Sequence, residues 1–99
     1  MSTARPTDQE SALELLKSQH DFPGPFIFRI VVLPEHSASI VSAVACIVQQ
    51  SGSIEKVDER ESRTGRFMSI HFHCQMDSAE SVLEVYAVIT GLEGVVMSL

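Results

Sequence analysis

The sequence predicts an α+β domain in which four strands and two main helices follow the order β-α-β-β-α-β, preceded by a short helix. Two observations carry this prediction. Apolar residues alternate with period two in segments 26–33 and 67–76, which is the pattern of strands buried on one face. In segments 35–50 and 79–90 they recur every three or four residues, as on one face of a helix. With 99 residues, the chain is long enough to bury the core of one domain.

The charge balance argues against two classes of partner. Seven Lys and Arg residues stand against 13 Asp and Glu residues, which gives a net charge of −6 at pH 7. Such a domain repels phosphate backbones and anionic lipid heads, so we expect no nucleic acid and no membrane as partners. No apolar run approaches the roughly 20 residues that span a bilayer, and the polar N-terminus is unlike a secretory signal. Two cysteines are too few for a disulfide framework, which favours a cytoplasmic location.

The N-terminal segment predicts a short helix with two alternative first residues. We expect residues 1–6 to be disordered and residues 7–99 to form the single domain. Thr7-x-x-Glu10 and Ser11-x-x-Glu14 both fit a capping box, so either could start the helix. Ala12, Leu13 and Leu16 give it a narrow apolar stripe that ends near Gln19.

Two prolines lead into the first strand. Pro23 and Pro25 favour extended geometry at the residues before them, and segment 26–33 then alternates. The residues expected on the core side are Phe26, Phe28, Ile30 and Val32. Those expected on the other side are Ile27, Arg29, Val31 and Leu33.

A helix and a charged strand follow Pro34. The predicted helix spans residues 35–50, with Gly52 as its C-terminal cap. Its apolar stripe consists of Ile40, Val44, Ile47 and Val48. Segment 54–63 predicts an edge strand, because its charges discourage pairing with other chains. Ile54 and Val57 do not alternate, which indicates a bulge.

The last part of the chain completes the pattern after a turn at Thr64-Gly65. In strand 67–76, Met68, Ile70, Phe72, Cys74 and Met76 are expected to face the core. The opposite side then carries Phe67, Ser69, His71, His73 and Gln75. Asp77 and Glu80 predict a capped helix, whose stripe is Ala79, Leu83, Tyr86 and Ile89 and whose end is Gly91. Residues 95–99 are the final strand.

This order of elements is the ferredoxin-like, or split βαβ, arrangement. Right-handed crossovers place the first and third strands in the centre of an antiparallel sheet with strand order 4-1-3-2. Both main helices then cover one face of the sheet, and the other face is left open.

The opening Phe22-Pro23-x-Pro25-Phe26, after a short Leu-rich helix, resembles the start of the YbeD-like family of small bacterial proteins. Ser62-x-x-Gly65, the helix containing Tyr86 and the Val-x-Met-x-Leu ending at residues 95–99 extend the resemblance over about residues 11–99. The stretch 18–21 before Phe22 looks longer than usual for the family, which affects only the helix–strand connection. The resemblance implies a fold similar to the ACT-type regulatory domains of metabolic enzymes. It implies no agreed activity, substrate or catalytic residue.

No constellation of residues predicts a reaction. His71-x-His73 puts two imidazoles on one strand face, fewer than the three or four ligands of a zinc site. Cys46 and Cys74 are expected to be inert thiols facing the core, and no Ser-His-Asp set has the context of a nucleophile. Gly65-Arg66-Phe67 is similar to an RNA-recognition signature, but it supplies one outward aromatic on an acidic chain. We therefore expect no enzyme, no metal and no cofactor.

Two places are candidates for binding. The resemblance to ACT-type domains implies a small-molecule site at the connection Pro34, Glu35, His36 and Ser37. The open sheet face is the candidate for an unknown protein partner or for self-association. Its candidate residues are Ile27, Arg29, Val31, Phe67, His71, His73 and Val96. We expect a non-enzymatic regulatory or protein-interaction module, with an ACT-type small-molecule-binding domain as the alternative; the charged strip 58–63 is a further docking candidate.

Overall fold

The structure is a computed structural model that describes residues 8–98, with side chains from Glu10 onward. The elements are helix α1 (Asp8–Gln19), strand β1 (Gly24–Val32), a 3-10 turn (Pro34–His36), helix α2 (Ser37–Val48), strand β2 (Gly52–Glu61), strand β3 (Met68–Met76), helix α3 (Ala79–Thr90) and strand β4 (Val95–Ser98). The expected disorder of residues 1–6, the cap at Thr7 and the strand end at Leu99 lie outside the described residues. Within residues 8–98, none of the helices combines the length and apolar character that crossing a membrane requires.

The four strands form one antiparallel sheet in the order β2-β3-β1-β4, which is the predicted order viewed from the other edge. β1 pairs with β3 over its whole length, from Gly24 opposite Met76 to Val32 opposite Met68. β4 pairs only with Ile30–Val32 at one end of β1. The predicted bulge is confirmed in β2, where the register shifts between Ile54 and Lys56 and leaves Glu55 unmatched.

The core lies between the sheet and helices α2 and α3. Strands β1 and β3 contribute every second residue, as the alternation predicted. The buried strand residues are Phe26, Phe28, Ile30, Val32, Ile70, Phe72, Cys74 and Met76. Helix α2 adds Ile40, Val44 and Val48 as predicted, while Ile47 is only partly buried. An aromatic cluster extends this core, since the ring of Phe28 lies 4.9 Å from that of Phe26 and 5.1 Å from that of Tyr86.

The predicted face of α3 is wrong in part. Ala79 and Ile89 are buried as expected, but Val82 and Val85 fill the centre, and Leu83 and Tyr86 are only partly buried. The helix carries apolar residues on two neighbouring sides, so their spacing alone does not determine which side packs against the sheet. The predicted cap at Asp77 is also wrong, because the Ser78 hydroxyl accepts the Ser81 N–H at 3.1 Å.

Two smaller predictions also need correction. Cys46 is exposed on α2, since it lies on the side away from the stripe of Ile40, Val44 and Val48. Gly52 does not cap α2, which ends at Val48; it is the first residue of β2. A Cβ atom at residue 52 would lie 2.1 Å from the Gln75 carbonyl oxygen, so glycine permits the close approach of β2 and β3.

Helix α1 packs against α3 and so lies on the helix side of the sheet. Leu16 packs against the core, and Lys17 Nζ lies 3.3 Å from a Glu80 carboxylate oxygen at the start of α3. The connection to β1 then runs through His20, whose ring lies 5.0 Å from that of Phe26. The open face of the sheet therefore has no helix packed on it within residues 8–98.

Candidate interaction face

The pairing register fixes which side chains are neighbours on the open face. Residues directly opposite each other in an antiparallel pair point to the same side of the sheet. The rows across the open face are therefore Ile27, His73 and Lys56; Arg29, His71 and Asp58; and Met97, Val31, Ser69 and Arg60. The predicted residues Ile27, Arg29, Val31, His71 and His73 thus lie in adjacent rows of one surface.

The half of this face on β2 and β3 is polar and internally paired. His73 Nε2 lies 2.9 Å from Asp58 Oδ2, and Lys56 Nζ lies 3.4 Å from Asp58 Oδ1. Partial desolvation raises the pKa of Asp58, but the hydrogen bond to His73 and the charge of Lys56 outweigh it, so the net pKa is lowered. The Gln75 side-chain amide donates to a Glu55 carboxylate oxygen at 2.6 Å. These contacts pair His73, Asp58, Lys56, Gln75 and Glu55 with one another within the chain.

The end of this face where β1 pairs with β4 is apolar. Val31 lies opposite Met97, and Met97 is 51% exposed. Val96 is 50% exposed at the position where the register of β1 and β4 shifts, and Phe67, one residue before β3, is 39% exposed. We call Val31, Phe67, Val96 and Met97 the apolar patch. The sequence analysis missed Met97, because the shift between Val31 and Val32 is visible only in the pairing.

The predicted connection between β1 and α2 is packed against the chain itself. Pro34–His36 form the 3-10 turn and Ser37 begins α2; Glu35 is exposed. The Leu33 N–H donates to the Gly94 carbonyl at 2.8 Å. A Cβ atom at residue 94, which has φ +93°, would lie 2.4 Å from Cβ of His36. The side of the connection that faces β4 is therefore filled, and ligand binding there stays a prediction.

The chemically reactive groups do not converge. Burial raises the pKa of the Cys74 thiol to about 11, so this thiol is protonated at neutral pH. Cys46 lies on the exposed side of α2, in a different layer from His71 and His73. Within the described part of the chain, no three His, Cys, Asp or Glu side chains lie close enough together to hold a metal ion.

A comparison with family models finds one family that matches most of the chain. Residues 17–99 match the model of a family described as a protein of unknown function (DUF493). The chain belongs to this family. The match confirms the resemblance to YbeD-like proteins that the Phe-Pro-x-Pro-Phe segment and the C-terminal strand predicted.

A solved structure supports the fold. The solution structure of the C-terminal domain of the MgtC protein from Mycobacterium tuberculosis is similar, with a TM-score of 0.70 and 10% sequence identity. The similarity covers 82% of this chain and 88% of that one. At this identity it shows a shared fold alone. No curated protein matches the chain.

Proposed function

We propose that this chain is a non-enzymatic, ferredoxin-like interaction module of the bacterial cytoplasm that regulates another protein by binding it through the apolar patch. The observation that supports the proposal is the exposure of Phe67, Val96 and Met97 beside a sheet face on which no helix packs within residues 8–98. An exposed apolar area rimmed by polar groups is typical of interaction sites. Aromatic residues and methionine are also enriched in the centres of interfaces.

The surroundings of the patch support its use as an interface. The polar half of the face, with Asp58 held by His73 and Lys56, borders the patch as the polar rim of an interface would. The Cys74 thiol is buried and its pKa is raised to about 11, which argues against its use as a nucleophile. Two free cysteines fit a reducing compartment.

Charge substitutions in the patch test this proposal. Val31→Asp and Phe67→Asp should each lower capture of the native partner from extract of the source cell at least tenfold. The reason is that a buried apolar contact is lost and a charge is desolvated, which together exceed about 1.4 kcal/mol. Ala87→Asp, at an exposed position on α3, is the matched control and should leave capture unchanged. Circular dichroism and urea unfolding establish that each variant is folded.

Two results would contradict the proposal. If all three variants capture the same proteins equally, the patch is not the interface. If a panel of metabolites instead raises the melting temperature with increasing concentration, and Glu35→Ala or His36→Ala abolishes the shift, then the chain is a small-molecule-binding domain of the ACT type.

A further inference from the structure

The two edges of the sheet differ in how strongly they discourage pairing with a strand of another chain. The outer edge of β2 carries a run of charged side chains from Asp58 to Glu61 and the bulge at Glu55, both of which discourage pairing with another strand. The opposite edge consists of β4 and the part of β1 that β4 does not reach. Because β4 pairs only with Ile30–Val32, no strand within residues 8–98 pairs with Gly24–Phe28 on that side.

The direction of the backbone groups on this edge follows from the period of a strand. The Leu33 N–H donates to Gly94, on the β4 side. Every second residue of β1 before it directs its N–H and C=O to that same side, so Ile27 does so too. Pro25 has no N–H. The Ile27 N–H and the carbonyl groups of Pro25 and Ile27 thus face outward, beyond the reach of β4.

A groove of about 580 Å³ runs beside these groups. Its lining includes Pro25, Ile27 and Arg29 of β1, Leu15 of α1 and Tyr86 of α3. Leu15 is 57% exposed. Arg29 and Tyr86 both line this groove, so one bound segment can contact both side chains.

We propose that this groove binds an extended peptide segment of a partner protein, which adds to the free edge of β1 as a fifth strand in line with β4. The outward N–H and C=O groups can form backbone hydrogen bonds at the spacing of a strand. An extended peptide has matching groups at that spacing, and a compact small molecule does not. The free edge of five residues is about 17 Å long. This inference is independent of the proposed role of the apolar patch.

The lining predicts the side chains of the incoming segment. A residue opposite Phe28 points to the helix side, where Leu15 and Tyr86 favour an apolar side chain. A residue opposite Ile27 points to the open face, toward the Arg29 guanidinium. None of the ion pairs among residues 8–98 involves Arg29, so an acidic side chain complements it. The expected motif is therefore an acidic residue directly next to an apolar one.

A second copy of the chain fits this edge poorly. In a second copy, β1 is flanked by β4 at one end and by the connection from α1 at the other. Pairing the two β1 edges would bring both of these elements against the groove of the first copy. A single extended segment brings only itself. Self-association through β1 is therefore an outcome against the proposal.

The test is a displayed library of random nine-residue peptides, selected on the full chain. Enriched peptides should carry the acidic–apolar pair, and their binding should shift the backbone amide signals of Gly24–Arg29 in NMR spectra. Ile27→Pro removes an outward N–H without breaking a hydrogen bond to β3, and should weaken the selected peptide at least tenfold. Glu59→Pro is the matched control. The Ser62 N–H points to β3, so the Glu59 N–H, an odd number of positions away, points outward at the other edge.

Two further binding experiments do not require a proline variant to fold. N-methylation of alternate amides of the peptide should abolish its binding to the unaltered protein, while methylation of the intervening amides should have little effect. Arg29→Glu should weaken the peptide at least fivefold, and exchanging the peptide's acidic residue for lysine should restore the loss.

Three results would overturn the proposal. The first is a selection that yields no peptide binding more tightly than about 100 μM. The second is a selected peptide that Ile27→Pro and N-methylation leave unaffected. The third is a dimer in sedimentation that Ile27→Pro dissociates, because a second copy would then occupy the edge.

Discussion

On the helix side of the sheet, Phe28, Ile70 and Phe72 are 0% exposed. One residue further along the same strands, Arg29 is exposed and Val31, His71 and His73 are half-buried. The same backbone builds both faces, so this difference comes from the alternating sequence and from the helices, which pack on one side only. The covered face holds the fold together, and the open face can change its side chains at small cost to stability.

The largest expected effect tests the covered face. Phe72→Ala should lower the free energy of unfolding by about 3–5 kcal/mol, because a fully buried ring is lost and a cavity remains. Phe67→Ala, at the 39% exposed ring, should cost about 1 kcal/mol or less. Urea denaturation measures both. Equal losses would mean that the two faces do not differ in the way described.

A smaller effect separates the two thiols. Burial on the covered face raises the pKa of the Cys74 thiol from its ordinary value of 9.0 to about 11, so very little of this thiol is thiolate at pH 8. An aromatic disulfide reagent should therefore titrate one thiol per native chain and two in urea. Cys46→Ser should remove the fast reaction and Cys74→Ala should retain it. A fast second thiol in the native protein would show that the covered face opens readily.

The smallest effect tests the polar half of the open face. The pKa of Asp58 is lowered in the fold, so its contribution to stability is present above its ordinary pKa of 3.8 and is lost as the pH falls through the lowered value. Asp58→Asn should therefore lower the urea midpoint slightly at pH 6 and not at pH 2. Glu59→Gln, on the neighbouring exposed position, is the control. A difference that persists unchanged at pH 2 would assign the effect to something other than the carboxylate charge.

The strands were predictable because alternation is a strong local signal. Phe26, Phe28, Ile30 and Val32 were assigned to the core from spacing alone, and all four are buried. The bulge near Ile54 was also predicted, since two partly buried residues three positions apart break the period. The order and spacing of several motifs, from Phe-Pro-x-Pro-Phe to the Val-x-Met-x-Leu ending, together predicted the family.

The errors arose where several residues satisfy the same pattern. Helix α3 has apolar residues at 82, 83, 85 and 86, and only packing against the sheet decides that Val82 and Val85 are central. Asp77 and Ser78 are both good caps, and the geometry of the turn selects Ser78. Cys46 is small and apolar, so its exposure does not follow from its type.

The candidate surfaces depend on pairing, which sequence predicts less well. Five of the predicted face residues lie in adjacent rows, but Met97 enters this surface only because of the register shift beside Val96. The free edge of β1 was not predicted. It follows from the extent of β4, which reaches Ile30 and no further within the described residues, and no local pattern in β1 reports it.

The bulge in β2 makes this strand tolerant of a one-codon deletion. Ile54 lies opposite Cys74 and Val57 opposite Phe72, and both pack against the core although three positions separate them. Removing Glu55 would leave them two positions apart, which is the regular period, so both would stay on the core side. The same deletion in the middle of β1 would turn every later side chain of that strand to the wrong face. Length variants of this domain are therefore expected to accumulate at residue 55 and to be excluded from the central strands.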